Sequence, residues 1–372
     1  MPTPLRVALT VEQCWQPVPG GSGEYVAALT RALRDRDGST RVVGLAARHG
    51  VDDRPRPPVA GPVEHSRLPR PILYEAWNRW RRPSAERTTG AVDVVHATTW
   101  AVPGTRSPLV VTVHDLAFLR DPTHFTSRGV RYFRRALDVV RAEAARVVVP
   151  STATLRDCES AGIDASRVEV IAHGVDAPEV SEAAVREWRH RAGVHRPYVL
   201  WCGTMEPRKN VARLVRAFAA ARRASADADL VLVGPDGWGD AAREVADAVA
   251  EAPAGSVHRL GRLSRADLQA ALAGAAVFAY PSVWEGFGMP VLEAMAHGTP
   301  VVTSAGTSMA EVLGGLGTVV DPVDVDALAE GLVHELARPR AELGALRARA
   351  AGYTWAASAD RHVAVYREVA GR

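Results

Sequence analysis

Short apolar runs alternate with amphipathic segments along this chain from one end to the other. The apolar runs, rich in valine and leucine, are typical of buried parallel strands, and the segments between them repeat apolar residues at helical spacing. The alternation is interrupted once, by a polar helix-forming stretch near the middle, and then resumes. This pattern predicts an α/β protein built from doubly wound parallel sheets. Strands are predicted at 5–11, 41–46, 92–96, 109–113, 146–150, 168–171, 198–203, 230–234, 257–261, 277–280 and 300–303.

The interruption predicts two domains. A chain of 372 residues is long for one domain and fits two of about 150–200 residues each. We place a first domain at 1–174, a linker at 175–197 and a second domain at 198–354. Within the first domain, the proline-rich stretch 49–71 has little apolar periodicity and predicts an exposed connection.

The composition excludes several classes of protein. With 47% hydrophobic and 23% charged residues, the chain has the balance of a soluble globular protein, and no stretch approaches the roughly 20 apolar residues of a membrane span. The chain enters its first strand almost at once, so we expect no signal peptide. Cys14, Cys158 and Cys202 lack metal-ligand spacing, which favours reduced thiols and a cytoplasmic enzyme without a bound metal. The net charge of +3 is too small to indicate a nucleic-acid partner.

A glycine-rich turn follows the first strand. Gly20, Gly21 and Gly23 precede a helix predicted at 24–36, and a strand, a glycine turn and a helix in this order can form a phosphate site. The letters P-G-G-S-G do not match the dinucleotide pattern G-x-G-x-x-G, which argues against a dehydrogenase. The alternative is a turn whose glycines only give the backbone flexibility and bind no ligand.

A second strand, turn and helix lie at 277–297. Gly286 and Gly288 allow a sharp turn, and Pro290 suits the first turn of a helix predicted at 291–297. The N–H groups of Phe287, Gly288 and Met289 would then face a phosphate. The carboxylates of Glu285 and Glu293 flank the turn and would accept hydrogen bonds from hydroxyl groups, which together predicts a nucleotide sugar as ligand. The alternative is an ordinary turn with two solvated glutamates.

Two cations and one histidine are placed for chemistry. Arg208 and Lys209, the only lysine of the chain, stand just ahead of a helix predicted at 211–223, where they could hold a pyrophosphate. His114 directly follows the strand at 109–113, and the carboxyl ends of parallel strands face the ligand crevice. A structural histidine is the alternative.

Two basic segments lie in the first domain. At 72–82, Trp and Arg alternate with apolar residues as they do in helices at a membrane interface. At 120–146, arginines accompany aromatic residues on a predicted helix, a surface suited to an acidic or phosphorylated acceptor. The alternative for both is a helix packed on its own sheet with a solvated basic edge.

Five motifs, in order along the chain, closely resemble family 4 of the retaining glycosyltransferases. They are P-G-G-S-G, T-V-H-D-L, G-T-x-E-P-R-K-N, E-G-F-G-M-P-V-L-E and the loop G-x-x-x-E at 306–311, although Thr204 stands where some relatives carry an arginine. The resemblance implies the GT-B architecture, two facing Rossmann-like domains with a cleft between them. It also implies that the C-terminal helix at 355–372 crosses back to complete the first domain.

The resemblance implies a role for each candidate residue. The backbone of Gly21 would lie against the donor phosphate, and His114 would contact the transferred sugar. Arg208, Lys209 and the N–H groups at 287–289 would stabilise the departing diphosphate, so neither a metal nor another cofactor is expected. Glu293 would bind the ribose hydroxyls and Glu285 the sugar hydroxyls. Catalytic roles are thus predicted for His114, Glu285, Arg208 and Lys209.

The resemblance leaves the donor and the acceptor open. Bacterial mannosyltransferases that use GDP-mannose are the best match, and users of UDP-N-acetylglucosamine or UDP-glucose share most of these motifs. A nucleotide-sugar hydrolase or 2-epimerase on the same fold, or a binding module without activity, are the other candidates. The acceptor would be a glycan, a lipid-linked sugar or a small molecule bearing a hydroxyl group. A lipid-linked acceptor would bring segment 72–82 to the inner face of the membrane.

Overall fold

Valine- and leucine-rich strands form two separate sheets, each parallel throughout. The computed structural model describes residues 4–36, 38, 40–50, 52–224, 227–237, 240–339 and 343–371. Its contacts divide the chain into two units, Met1–Gly174 with Thr354–Arg372 and Val175–Tyr353. Helices flank each sheet. This confirms the predicted doubly wound α/β class.

The sheet of the first unit has seven strands in the order β3-β2-β1-β4-β5-β6-β7. The order reverses beside β1, which pairs with both β2 and β4, and this reversal is the hallmark of a doubly wound sheet. The strands are β1 (Leu5–Thr10), β2 (Thr40–Ala46), β3 (Val63–His65), β4 (Val94–Ala97), β5 (Leu109–Thr112), β6 (Arg146–Val149) and β7 (Val168–Val170).

The sheet of the second unit has six strands in the order β10-β9-β8-β11-β12-β13. The strand order reverses beside β8, which pairs with both β9 and β11. The segments that follow β8 and β11 therefore leave from the same edge of the sheet at neighbouring positions. The strands are β8 (Tyr198–Cys202), β9 (Asp229–Val233), β10 (Val257–Gly261), β11 (Val277–Tyr280), β12 (Val301–Ser304) and β13 (Thr318–Val320).

Helices connect the strands in both units. Those of the first unit are α1 (Gly20–Arg34), α2 (Arg70–Trp80), α3 (Glu86–Thr89), α4 (Ala117–Arg120), α5 (Ser127–Glu143), α6 (Thr152–Ser160) and the C-terminal α15 (Trp355–Val369). Those of the second are α7 (Glu182–Ala192), α8 (Val211–Ala224), α9 (Ala241–Glu251), α10 (Arg265–Gly274), α11 (Met289–Ala296), α12 (Ser308–Leu313), α13 (Val325–Leu336) and α14 (Gly344–Ala351). Among the described residues, no helix is long and apolar enough to cross a bilayer.

Helix α15 is tied to the first sheet by buried polar contacts. The hydroxyl of Tyr366 lies 2.6 Å from Nδ1 of His96 on β4, and Nε2 of His362 lies 3.0 Å from the hydroxyl of Tyr25 on α1. All four side chains are buried. Buried polar groups need such partners, so these bonds hold the last helix against the strands of the first unit.

The structure differs from the sequence prediction at several places. Strand β13 (Thr318–Val320), at one edge of the second sheet, was not predicted. The stretch 49–71, predicted as an exposed connection, contains β3, which pairs with β2. The stretch 175–197, predicted as a linker, carries α7 and is part of the second unit, because Trp188 is buried with its ring 5.6 Å from that of Tyr198. Helix α1 begins at Gly20, four residues earlier than predicted.

Candidate functional site

The turn between β11 and α11 depends on Gly288. This residue caps the helix with a φ of +90°, a backbone conformation that other residues rarely adopt. A Cβ atom there would lie only 2.6 Å from Cγ of Met309 on α12. Helix α11 starts at Met289, two residues earlier than predicted, with Pro290 in its first turn. The backbone N–H groups of the first turn, including that of Met289, therefore stand at the helix N-terminus.

Arg208 and Lys209 occupy a short 3-10 turn, Pro207–Lys209, between β8 and α8. Asn210 ends this turn with a φ of +61° and donates hydrogen bonds from its side-chain amide to the carbonyl of Pro281, at 3.0 Å, and to that of Pro322. The N–H of Val283 donates to the carbonyl of Arg208 at 2.8 Å. These bonds fix the two cations against the segment that leads into α11.

Glu285 is the centre of a buried ionic cluster. Its carboxylate accepts one hydrogen bond from Nζ of Lys209 and another from Nη1 of Arg208, at 3.0 Å. Nη2 of Arg208 lies 2.8 Å from the carboxylate of Glu206, and the hydroxyl of Tyr280 lies 2.7 Å from Nζ of Lys209. The cluster of Glu206, Arg208, Lys209 and Glu285 thus holds two cations and two carboxylates, and its formal charge is balanced.

The cluster shifts the ionisation of its own members. Burial alone would raise the pKa of Glu285, but the charges of Arg208 and Lys209 outweigh it and lower the pKa to about 2. Burial and the charge of Arg208 lower the pKa of Lys209, against the opposing effect of Glu285 and Glu206. Glu285 therefore stays ionised throughout the physiological pH range.

Glu293, on α11, is buried and also meets a cation. Nη1 of Arg265, the first residue of α10, lies 2.8 Å from Oε1 of Glu293, and the Arg265 side chain is 48% exposed. The carboxylate is thus held in one orientation, and a ligand that reaches it would meet Arg265 as well.

His114 follows β5 in the first unit and is half-buried. Its Nε2 lies 3.0 Å from the carbonyl of Thr98, and its ring makes an edge contact with Tyr25, with centroids 4.9 Å apart. Burial lowers the pKa of His114, while Asp115 and the Thr98 carbonyl act in the opposite direction. The imidazole of His114 is therefore neutral and hydrogen-bonded through Nε2. This favours direct contact with a ligand over a role as a charged group.

Gly21 lies in the first turn of α1, and not in a loop ahead of the helix as predicted. The residue is exposed, and its neighbour Gly23 packs so closely that a Cβ there would lie 2.4 Å from Cβ of Pro19. A side chain at Gly23 would therefore collide with Pro19, so glycine is required where the first turn of the helix passes that residue. The backbone of Gly21 is therefore part of a helix N-terminus.

The structure brings Glu285, Arg208 and Lys209 into direct contact and sets Phe287, Gly288, Met289 and Glu293 on the adjoining turn and helix. His114 and Gly21 belong to the other unit.

Sequence reasoning missed the partners that orient these residues: Glu206, Tyr280, Arg265 and Tyr25. Glu206 stands within G-T-x-E-P-R-K-N, so an acidic residue two positions before an arginine was the available signal. Among the described residues, no group of three or more potential ligands is arranged to hold a metal ion.

Two family models match the chain. Residues 19–179 match the model described as Glycosyltransferase Family 4, and residues 196–338 match the model described as Glycosyl transferases group 1. Together they cover most of both units and all the residues of the ionic cluster.

Individual relatives support the same assignment. The O-antigen chain mannosyltransferase B of Escherichia coli is 31% identical over 264 residues, which are 65% of this chain and 65% of that protein. The alpha-maltose-1-phosphate synthase of Mycolicibacterium smegmatis is 30% identical, and the match covers 98% of this chain and all of that protein. The phosphatidyl-myo-inositol mannosyltransferase of Mycobacterium leprae is 29% identical over 95% of this chain and 94% of that protein.

Solved structures share the fold. The Anabaena HepE protein in complex with UDP and glucose superposes with a TM-score of 0.75 at 19% identity, covering 98% of this chain and all of that one. The sucrose-phosphate synthase of Thermosynechococcus elongatus gives the same TM-score at 23% identity, covering 98% of this chain and 99% of that one.

Proposed function

The chain belongs to the glycosyltransferases of family 4 and has their GT-B fold, and from this premise we propose that it moves a hexose, with retention of configuration, from a nucleoside diphosphate sugar to a hydroxyl acceptor. The observation that carries the proposal is the cluster in which Glu285 meets both Arg208 and Lys209. Fixed cations of this kind stabilise the negative charge that develops on a departing diphosphate.

In the proposed reaction, the bond between the anomeric carbon and the diphosphate oxygen breaks, and a bond from that carbon to the acceptor oxygen forms. The acceptor proton passes to the leaving phosphate on the same face of the sugar. Arg208, Lys209 and the N–H groups of Phe287, Gly288 and Met289 balance the diphosphate charge, so no metal is required.

Glu293 would accept hydrogen bonds from the ribose hydroxyls. Its burial and its fixed orientation beside Arg265 support this role, because a preorganised carboxylate loses little freedom on binding. Glu285 would accept from the sugar hydroxyls with the lone pairs that its two cations leave open. The roles of Gly21 and His114, the donor phosphate and the transferred sugar, are carried over from the family.

GDP-mannose is our first choice of donor, because mannosyltransferases recur among the relatives. UDP-glucose is the second candidate, since HepE has been solved with UDP-glucose. To decide, purified protein would be incubated with GDP-mannose, UDP-glucose and UDP-N-acetylglucosamine, with and without a mixture of hydroxyl acceptors, and product formation followed by mass spectrometry. Transfer from one of these donors supports the proposal. Release of nucleotide at the same rate without acceptor would indicate a hydrolase.

We also propose that α2 contacts an anionic membrane when the acceptor is lipid-linked. Ile72 and Trp80 are the support: these two large apolar residues of one helix are 55% and 68% exposed, and exposed apolar residues beside basic ones are typical of a helix at a membrane interface. Leu73 and Trp77, predicted on the same face, are instead buried in the first unit. The membrane face of α2 is therefore narrower than the sequence indicated.

A further inference from the structure

Two basic segments that the sequence placed apart form one groove in the first unit. Helices α2 and α5 pack side by side, joined by hydrogen bonds from Nε of Arg135 to the side chain of Asn78, at 2.6 Å, and from Nδ2 of Asn78 to the carbonyl of Tyr132. Between them lies a groove of about 350 Å³ lined by Glu75, Arg79, Trp80, Arg128, Arg131 and Arg135. We propose that this groove binds a phosphate group of a phosphorylated ligand.

The arginines of this phosphate groove come from matching positions on the two helices. Arg128, Arg131 and Arg135 recur at intervals of three and four residues, so all three project from one face of α5. Arg79 lies one turn after Glu75 on α2. The spacing along each helix and the packing of α2 on α5 together bring four guanidinium groups into the same groove.

Glu75 fixes this arrangement without neutralising it. Its carboxylate accepts from Nε of Arg79 at 3.0 Å and lies 3.3 Å from Nη2 of Arg135 and 3.7 Å from Nη2 of Arg128. One carboxylate among four arginines leaves three positive charges in excess. The side chain of Arg131 makes no hydrogen bond or ion pair within the described part of the chain. Like charges held this close repel each other, and an incoming anion relieves that repulsion.

A phosphate group fits this chemistry better than other anions. Guanidinium presents paired N–H donors that match two phosphate oxygens, and several guanidinium groups can share the three oxygens of a monoester. The indole of Trp80 at the rim offers an apolar surface to the rest of the ligand. The groove belongs to the first unit and the ionic cluster around Glu285 to the second, and the proposal for the groove does not depend on which donor the enzyme uses.

The same chemistry could come from a phospholipid headgroup or from a soluble phosphorylated sugar, and the experiment separates these sources. Binding to the intact protein would be measured by calorimetry with inorganic phosphate, with glucose 6-phosphate, and with vesicles of phosphatidylglycerol against vesicles of phosphatidylcholine. Because phosphate also fits the donor site proposed for the second unit, each titration would be repeated with the double variant Arg128→Gln/Arg131→Gln, which leaves that donor site unchanged, and only the binding lost in this variant would be assigned to the groove. If the protein binds phosphatidylglycerol vesicles with much higher affinity than glucose 6-phosphate, the source of the phosphate is a lipid headgroup. If it binds glucose 6-phosphate with the higher affinity, the source is a soluble ligand.

Three variants test the groove itself. The pair Arg128→Gln and Arg131→Gln should weaken phosphate binding by at least about tenfold, because each lost charge-assisted bond is worth that much. Glu75→Gln should strengthen it, because the excess positive charge grows. Arg134→Gln is the matched control, since Arg134 is exposed on the same helix but does not line the groove. All these side chains are partly or fully exposed, and a melting curve checks that each variant folds.

Two results would show that the groove does not bind phosphate, and a third would contradict the charge argument behind it. One is phosphate affinity that the double arginine variant leaves unchanged. The other is an equal loss in Arg134→Gln, which would mean that phosphate responds to the general charge of α5 and not to the groove. Weaker binding by Glu75→Gln would likewise contradict the charge argument.

Discussion

Replacing Glu285 with glutamine tests the central ionic cluster most directly. The change keeps the shape of the side chain and its capacity to accept a hydrogen bond, but removes the negative charge that faces Arg208 and Lys209. Because both cations are largely withdrawn from solvent, they would lose a carboxylate partner that water replaces poorly. We expect the second unit to lose stability at neutral pH.

The size of the loss follows from the pKa of Glu285. Burial would raise it, but Arg208 and Lys209 lower it from 4.5 to about 2, and a shift of this size corresponds to about 3 kcal/mol of folding free energy. Since the folded-state pKa is depressed, the contribution is complete above pH 4.5 and is lost as the pH falls towards 2. At pH 3 about 2 kcal/mol of it has disappeared.

The assay is denaturant unfolding of the intact chain at pH 7 and at pH 3, followed for the transition of the second unit. The wild-type protein should exceed Glu285→Gln by about 3 kcal/mol at pH 7 and by only about 1 kcal/mol at pH 3. Glu330→Gln is the control, because Glu330 is an exposed carboxylate on α13 in the same unit. A wild-type advantage that stays constant between the two pH values would refute the electrostatic account of the cluster.

Four further predictions follow from other parts of the structure. Glu293→Ala should weaken binding of the matching nucleoside diphosphate by at least about tenfold in calorimetry, and unchanged affinity would rule out the ribose contact. EDTA should leave transfer activity intact, whereas a requirement for Mg²⁺ or Mn²⁺ would contradict charge neutralisation by Arg208 and Lys209. Burial lowers the pKa of His362 from 6.5 to about 4, so the neutral side chain contributes its full stabilisation of the fold above pH 6.5 and loses it as the pH falls towards 4. The difference in unfolding free energy between wild type and His362→Gln should therefore narrow by about 3 kcal/mol from pH 7 to pH 4. If α2 meets membranes, Trp80→Ser should reduce sedimentation with phosphatidylglycerol vesicles, and an equal effect of Val319→Ser in the second unit would argue against a specific surface.

The sequence predicted the strands well where apolar runs are continuous, because a strand buried on both faces needs such a run. It missed β3 (Val63–His65), whose side chains are mostly exposed and follow a proline-rich stretch, so that pairing with β2 alone defines it. It placed the start of α1 too late, because glycine has a low helix propensity and the helix nevertheless includes Gly20 and Gly21. Local sequence patterns carry no information about tertiary contacts such as the pairing of β3 with β2.

The site shows the same limit. The family resemblance implied that Arg208, Lys209 and Glu285 serve one ligand, and the structure places these three side chains together. The ion pair of Glu206 with Arg208 was not predicted, because the direction of a side chain in a 3-10 turn is not encoded in a spacing. The basic surface at 120–146 was predicted to suit a phosphorylated acceptor, but its meeting with α2 in one groove was not, since the two halves lie about fifty residues apart and meet only through the packing of α2 on α5.

The balanced charge of the ionic cluster bears on how the proposed enzyme would turn over. Arg208 and Lys209 with no carboxylate nearby would be costly to bury and would hold a released diphosphate strongly. With Glu206 and Glu285 in place, the cations are oriented in advance, and a diphosphate must share them with two carboxylates. Ground-state binding is thereby moderated, while the charge that grows on the leaving oxygens still meets fixed donors. Stabilisation that increases from the bound donor to the transition state is what accelerates a reaction, and a balanced cluster provides it better than two bare cations would.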